Sequence, residues 1–219
     1  MADKNSFIKF MLESEVLRFG EFTTKSGRLS PYFINTGLYK TGKQISTLGK
    51  YYASLVNETV MDNFDAMFGP AYKGIPLAAA CAYSLYSEYG YDKNYFFNRK
   101  EQKDHGEGGN LIGYKPKDGD NIIIIEDVIT AGTAVRETLP ILKAAADVNV
   151  KDMFISVNRM EVGNAGKTAT EEIYEEFGIK VHSIVNVVDI YNYLKEQNTK
   201  ESLEMCQKMQ SYMDKYCNL

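Results

Sequence analysis

Four consecutive isoleucines, Ile122 to Ile125, constrain this chain more than any other stretch. A strand that is apolar at every position must bury both faces, as happens in a parallel sheet covered by helices on each side. Two acids, Glu126 and Asp127, follow at the strand's carboxyl end. Thr130, Ala131, Gly132 and Thr133 then form a loop of small and hydroxyl residues, and Val135, Leu139 and Leu142 continue at helical spacing. In open α/β sheets ligands bind outside the carboxyl ends of strands. A small-residue loop entering a helix offers unpaired backbone N–H groups to an anion. Two carboxylates beside it would repel a bare phosphate, but they suit a ligand with hydroxyls or with a metal between acid and phosphate. The local chemistry points to a sugar phosphate.

The same pattern of strand, polar loop and helix recurs. Phe64–Phe68 reads as a strand, followed by the loop Gly69, Pro70, Ala71, Tyr72, Lys73, Gly74 and a helix from Leu77 to Tyr89. That loop taken alone could be an ordinary connection. Tyr95–Phe97 is a third strand, Leu111–Tyr114 a brief one, Met153–Val157 a fifth ending near Arg159, and Val181–Val185 a last one. Thr170–Phe177, a helix from Asp189 to Leu194 and a terminal helix from Glu201 to Met213 complete the alternation. The Met and Cys residues along that terminal helix suit core or an oligomer contact. The expected fold class is therefore α/β, with a mostly parallel central sheet flanked by helices.

Residues 1–62 do not fit the alternation and are expected to cap the α/β core and C-terminal helices of residues 63–219 within a single domain. A first helix, capped by Asn5 and ended by Gly20, carries Phe7, Ile8, Met11, Leu12 and Val16 on one side. Two short strands, Glu21–Thr23 and Tyr32–Ile34, flank the turn Lys25, Ser26, Gly27, Arg28, which by itself reads as a solvated turn. Thr41–Met61 is a second helix.

Between Arg99 and Gly109 the chain changes character. Arg99, Lys100 and Lys103 supply cations, His105 is one of only two histidines, and Gly106, Gly108 and Gly109 remove any apolar period. The run is expected to be a mobile loop, either a solvated face or a lid over a polyanion.

A net charge of −4 argues against a general nucleic-acid binder, no run is long enough for a membrane span, and no signal peptide is evident. Cys81, Cys206 and Cys217 are scattered and odd in number, which suits free thiols in the cytoplasm.

Residues Ile122–Glu137 resemble the phosphoribosyl pyrophosphate signature of type I phosphoribosyltransferases. Lys25 to Arg28, Ser30 to Phe33, Gly69 to Gly74 and Arg99 to Gly106 narrow the resemblance to the orotate phosphoribosyltransferase family, in the family's order. The resemblance implies a type I phosphoribosyltransferase-like fold with a small N-terminal hood. The implied reaction takes orotate and phosphoribosyl pyrophosphate, with Mg2+, to orotidine 5′-monophosphate and pyrophosphate. It assigns the ribose hydroxyls to Glu126 and Asp127, and the 5′-phosphate to Val128, Ile129, Thr130, Ala131, Gly132, Thr133 and Ala134. Lys25, Tyr72, Lys73, Arg99, Lys100, Lys103 and His105 would surround the pyrophosphate, with Lys103 and His105 assisting its departing oxygen. Orotate would meet Lys25, Phe33, Ile34, Thr130 and Arg159, the last pairing its carboxylate. Mg2+ would be held mainly by the substrate near Glu126 and Asp127, with no certain direct protein ligand.

The resemblance further implies a homodimer sharing Lys100, Lys103 and His105 across subunits, and a cis peptide between Ala71 and Tyr72. Two residues depart from the family pattern: Glu126 stands where Asp is usual, and Ile34 where an aromatic often stands. A transferase for another base would keep the signature but leave Arg159 unpaired. A regulator that binds without turnover need not keep the cationic run.

Overall fold

The isoleucine run forms the centre of the sheet. In this computed structural model, which describes residues 3–24, 27–100, 110–129, 132–163 and 166–219, it lies in β6, Asn121–Ile125. Ile122 and Ile124 pack on one side with Phe68, Phe96, Met153 and Ile155, while Ile123 and Ile125 pack on the other with Met67 and Phe154. The two-residue period of a strand divides one apolar run between two cores.

In chain order the elements before β6 are α1 (Lys4–Glu13), β1 (Leu17–Thr23), β2 (Leu29–Ile34), α2 (Gly42–Thr59), β3 (Ala66–Gly69), α3 (Gly74–Tyr89), β4 (Asn94–Asn98) and β5 (Leu111–Gly113). After it come α4 (Thr133–Ala145), β7 (Asn149–Asn158), α5 (Ala169–Phe177), β8 (Lys180–Asn186), α6 (Val187–Gln197) and α7 (Lys200–Tyr216). Six strands pair in the order β5-β4-β3-β6-β7-β8. All neighbours are parallel except β4 and β5. β1 and β2 form a separate antiparallel pair.

Helix ends follow local chemistry. Thr41, Thr168, Asn186 and Thr199 each close a reciprocal capping box at the start of α2, α5, α6 and α7. Gly178 ends α5 in the left-handed conformation, as expected for a C-terminal glycine. α3 begins at Gly74 rather than Leu77, because Pro76 falls in its first turn, where no intrahelical N–H is required.

The N-terminal helix differs from expectation. Asp3, not Asn5, caps it, accepting from the Asn5 N–H at 3.1 Å. It stops at Glu13, and Glu15, at φ 59°, turns the chain into β1. Gly20 therefore lies within β1, beside the irregularity between Phe19 and Phe22. α1 packs on α6 and β8, while α2 lies along α3 and reaches β7 and β8. Along α7, Cys206, Met209 and Met213 are core, whereas Leu203 is exposed. No helix among the described residues is long and apolar enough to cross a membrane.

One glycine sets how closely α3 approaches the central strand. A Cβ on Gly74 would lie 2.6 Å from Pro70 Cδ and 2.8 Å from the Ile125 carbonyl oxygen. Gly74→Ala should therefore lower stability by about 1–3 kcal/mol through overpacking, although Ala is the better helix former. Thermal unfolding checks this; an unchanged or higher Tm would remove close packing as the reason for the glycine.

Candidate active site

Four parallel strands end side by side: β4, β3, β6 and β7. From β3 the chain proceeds outward to β4, and from β6 it proceeds the other way to β7 and β8, so the order reverses between β3 and β6. A crevice at such a reversal is the usual ligand position in α/β sheets. Lys73 follows β3 there and Glu126 and Asp127 follow β6.

The two acids are buried, at 8% and 7% exposure. Their backbone is pinned: the Glu126 carbonyl accepts the Tyr52 hydroxyl at 2.6 Å, and the Asp127 carbonyl accepts the Ser156 hydroxyl at 2.6 Å. Asp127 Oδ2 accepts Lys73 Nζ at 2.8 Å and the Thr36 hydroxyl at 2.6 Å, and Lys73 also donates to Thr36 Oγ1 at 3.3 Å. Asp127 Oδ1 accepts the Val128 N–H at 2.7 Å, and Glu126 Oε1 accepts the Asp127 N–H at 2.8 Å.

Neighbouring acids thus acquire opposite characters. Burial pushes Glu126 up to about 8; the Asp127 N–H opposes this, the adjacent Asp127 carboxyl adds to it, and Lys73 offsets a smaller part. Burial also works against an ionised Asp127, but hydrogen bonds from Lys73, Thr36 and the Val128 N–H outweigh it and hold that carboxyl below its usual range. The two carboxyls are pushed in opposite directions, Glu126 toward its neutral form and Asp127 toward its ionised form. Both acids were legible as candidates, but Thr36 carried no signal, because its partners lie 37 and 91 residues away.

Past the acids, Val128 bridges to Val157 of β7. Gly132, at φ 67°, precedes Thr133 and Ala134 in the first turn of α4. No side chain caps this helix start among the described residues, so its first N–H groups suit an anion. Thr130 and Ala131 lie outside the described residues, as do Lys25, Lys103 and His105.

At the β3 end the Ala71–Tyr72 peptide is cis, as the resemblance implied. The Ala71 N–H donates to Asn98 Oδ1 of β4 at 2.9 Å, which ties the two strand ends together. Tyr72 is exposed, and Lys100 Nζ lies 5.2 Å from its ring centroid. Arg99 is half-buried on the same edge.

On the β7 side, Arg159 Nε and Nη2 both donate to Glu161 Oε1, at 2.8 and 2.5 Å, with the guanidinium over the Tyr32 ring. Glu161 also accepts the Tyr212 hydroxyl at 2.7 Å. Burial and Glu161 push that hydroxyl up to about 12, so it remains a donor. Phe33 stacks on Phe22 at 5.4 Å, and Ile34 packs against the main core.

No group of three acid, His or Cys side chains could hold a metal by itself among the described residues. The Asp127 carboxylate suits a hard cation that arrives on substrate oxygens and borrows one protein ligand.

Comparison with known proteins agrees with this geometry. A model of the phosphoribosyl transferase domain matches residues 37–153. The orotate phosphoribosyltransferase of Clostridium acetobutylicum is 50% identical over 213 residues, covering 97% of this chain and 95% of that one. That of Clostridium beijerinckii is 47% identical over 215 residues, covering 98% and 96%. The crystal structure of the Francisella tularensis orotate phosphoribosyltransferase superposes with a TM-score of 0.86 at 40% identity, covering 97% of this chain and 100% of that one.

The opposed acids make stability depend on pH. Glu126 is raised from its ordinary 4.5, so the folded state keeps a proton that the unfolded chain releases. Its contribution is complete below about 4.5 and is lost as pH rises through about 8. Asp127 acts oppositely: its contribution is present above its ordinary 3.8 and is lost as pH falls. Glu126→Gln, a neutral isostere, should gain on the wild type as pH rises from roughly 6 to 9, by about 2–4 °C of Tm per kcal/mol. Parallel Tm–pH curves for the two proteins would disprove the raised carboxyl.

Proposed function

The chain belongs to the orotate phosphoribosyltransferase family, and from that footing we propose that it transfers the 5-phosphoribosyl group of phosphoribosyl pyrophosphate to orotate. The products are orotidine 5′-monophosphate and pyrophosphate, a step of de novo pyrimidine and UMP biosynthesis. The observation that carries the reading is the buried Glu126–Asp127 pair, tied to Lys73 and Thr36 at the crevice between β3 and β6.

The reaction breaks the bond from anomeric C1 to pyrophosphate while the sugar acquires oxocarbenium character. Its rate comes from stabilising charge and from holding the reactants in line. Asp127 and Glu126 receive the ribose 2′- and 3′-hydroxyls, and the negative charge of Asp127 lies where positive charge develops. Backbone N–H groups and hydroxyls from Val128 to Ala134, including Ile129, Thr130, Ala131, Gly132 and Thr133, hold the 5′-phosphate. Lys73 exchanges Asp127 for the pyrophosphate, and Lys25, Tyr72, Arg99 and Lys100 join it. Lys103 and His105 assist the departing oxygen. Asp127 and Glu126 would hold Mg2+ that arrives on the substrate, and the ion would supply charge neutralisation of the leaving pyrophosphate.

Orotate is a planar anion. Arg159 takes its carboxylate, Phe33 lies against the ring, and Ile34, Lys25 and Thr130 border it. A transferase for a base without a carboxylate would leave Arg159 with no substrate partner.

A second copy of the chain completes the assembly, with Lys100, Lys103 and His105 reaching into its site. Exposed Tyr83, Tyr86 and Tyr95 on α3 and β4 support such a contact. The three cysteines are free, which fits a cytoplasmic protein.

Orotate absorbance should fall when the protein is mixed with phosphoribosyl pyrophosphate and Mg2+, and uracil or a purine should not replace orotate. Absence of orotate consumption would sink the assignment. Lys103→Ala should reduce kcat by about 10²–10⁴-fold with a modest change in KM; unchanged turnover would remove Lys103 from catalysis.

A further inference from the structure

We propose that Glu161 and Tyr212 are positioning residues for Arg159. Glu161 occupies one edge of the guanidinium and Tyr212 fixes Glu161, so that the other edge faces the base carboxylate. This rests on the reading above, in which Arg159 binds orotate.

A guanidinium is planar and has two edges able to form paired hydrogen bonds. Glu161 Oε1 takes the side edge, through Nε at 2.8 Å and Nη2 at 2.5 Å. The terminal edge, Nη1 with the second N–H of Nη2, is the one a ligand carboxylate can use. Arg159 is 13% exposed and lies with Cζ 4.7 Å from the centroid of Tyr32, so its plane is fixed between an aromatic face and a carboxylate.

Glu161 is itself held from three directions. The Tyr212 hydroxyl donates to the same Oε1 at 2.7 Å, and Arg28 Nη1 lies 3.9 Å from Oε2. The chain end supplies the rest: the Val162 N–H donates to the Tyr216 carbonyl at 2.8 Å, and the Asn218 N–H to the Met160 carbonyl at 3.0 Å. Glu161 and Cys217 pair as an antiparallel bridge. Arg28 also donates to the Val162 carbonyl at 2.8 Å while its Cζ lies 4.9 Å from the Tyr216 ring. The segment from Arg159 to Val162 is thus strapped by the hairpin turn on one side and the end of α7 on the other.

Charge gives the same result. Among the described residues Glu161 is the carboxylate that faces both Arg28 and Arg159, so two cations there share one anion. That is the complement of a single carboxylate. A bare Arg159 would attract the anion as well but would be free to rotate about its long side chain, so Glu161 contributes direction rather than attraction.

Tyr212→Phe removes one hydroxyl and keeps the ring that meets Tyr32 edge-on at 6.0 Å. Glu161→Gln keeps an acceptor and the shape but removes the charge. The KM for orotate should rise about tenfold in each, while the KM for phosphoribosyl pyrophosphate stays within about twofold; Tm should be little changed in Tyr212→Phe and lower in Glu161→Gln, which leaves the buried Arg159 charge without its partner. The preference for orotate over uracil should narrow. An unchanged orotate KM in both variants would overturn the inference. So would a rise of both KM values together with a lower Tm, which indicates structural support alone. If the wild-type protein consumes no orotate, the functional reading fails first and this inference falls with it.

Discussion

Ile122 and Ile124 face one layer of helices and Ile123 and Ile125 face the other, so β6 cannot shift by one residue without exchanging the contents of two cores. That register determines where the strand stops. The next two residues, Glu126 and Asp127, emerge at the reversal of strand order but are still shielded by Tyr52 and Ser156, which take their carbonyls. The buried acids are therefore a consequence of the apolar run: the sheet that requires four isoleucines also withdraws the following carboxyls from water.

Once withdrawn, the two carboxyls cannot both ionise cheaply. The crevice resolves this by giving Asp127 the lysine, the threonine and a backbone N–H, and by leaving Glu126 largely to burial. Lys73 is more than half exposed while its partner Asp127 is nearly dry. An ion pair open to solvent on its cationic side leaves the lysine well hydrated whichever anion it meets. On the proposed reading Lys73 would then be transferred from one anion, Asp127, to another, the incoming pyrophosphate. Thr36 would remain on Asp127 after that transfer, so the carboxylate keeps a donor throughout.

Much of this was legible in the sequence, for identifiable reasons. Strands and helices read from apolar period were found where they were expected, because Val135, Leu139 and Leu142, or Leu48, Tyr52 and Val56, bury along one side whatever their partners. Glu126, Asp127 and Lys73 were legible because they adjoin strands whose ends must converge. Local competition defeated the reading at the first helix, where Asp3 and Asn5 could both cap and Glu15, not Gly20, supplied the left-handed turn. Thr36, Asn98, Glu161 and Tyr212 were not legible. Each works through a partner brought near only by the tertiary fold, as with Tyr212 and Glu161, 51 residues apart. Lys25, Lys103, His105, Thr130 and Ala131 lie outside the described residues, so their expected roles stand on the sequence and the family.

The two ends of the crevice solve opposite electrostatic problems with the same device. On the proposed assignment an anion is needed at the ribose end where positive charge develops, and Lys73 is the cation that holds Asp127 before substrate would replace it. On the same assignment a cation is needed at the base end for a carboxylate, and Glu161 is the anion that pairs with Arg159. The difference lies in exposure. Lys73 is a flexible, half-exposed ammonium, suited to changing partners, whereas Arg159 is a buried planar fork whose counterion is tied to the hairpin and to α7. Breaking a buried pair is costly, so Glu161 is not the group that substrate displaces. On that assignment the ribose end would exchange partners, and the base end would keep its own and add one.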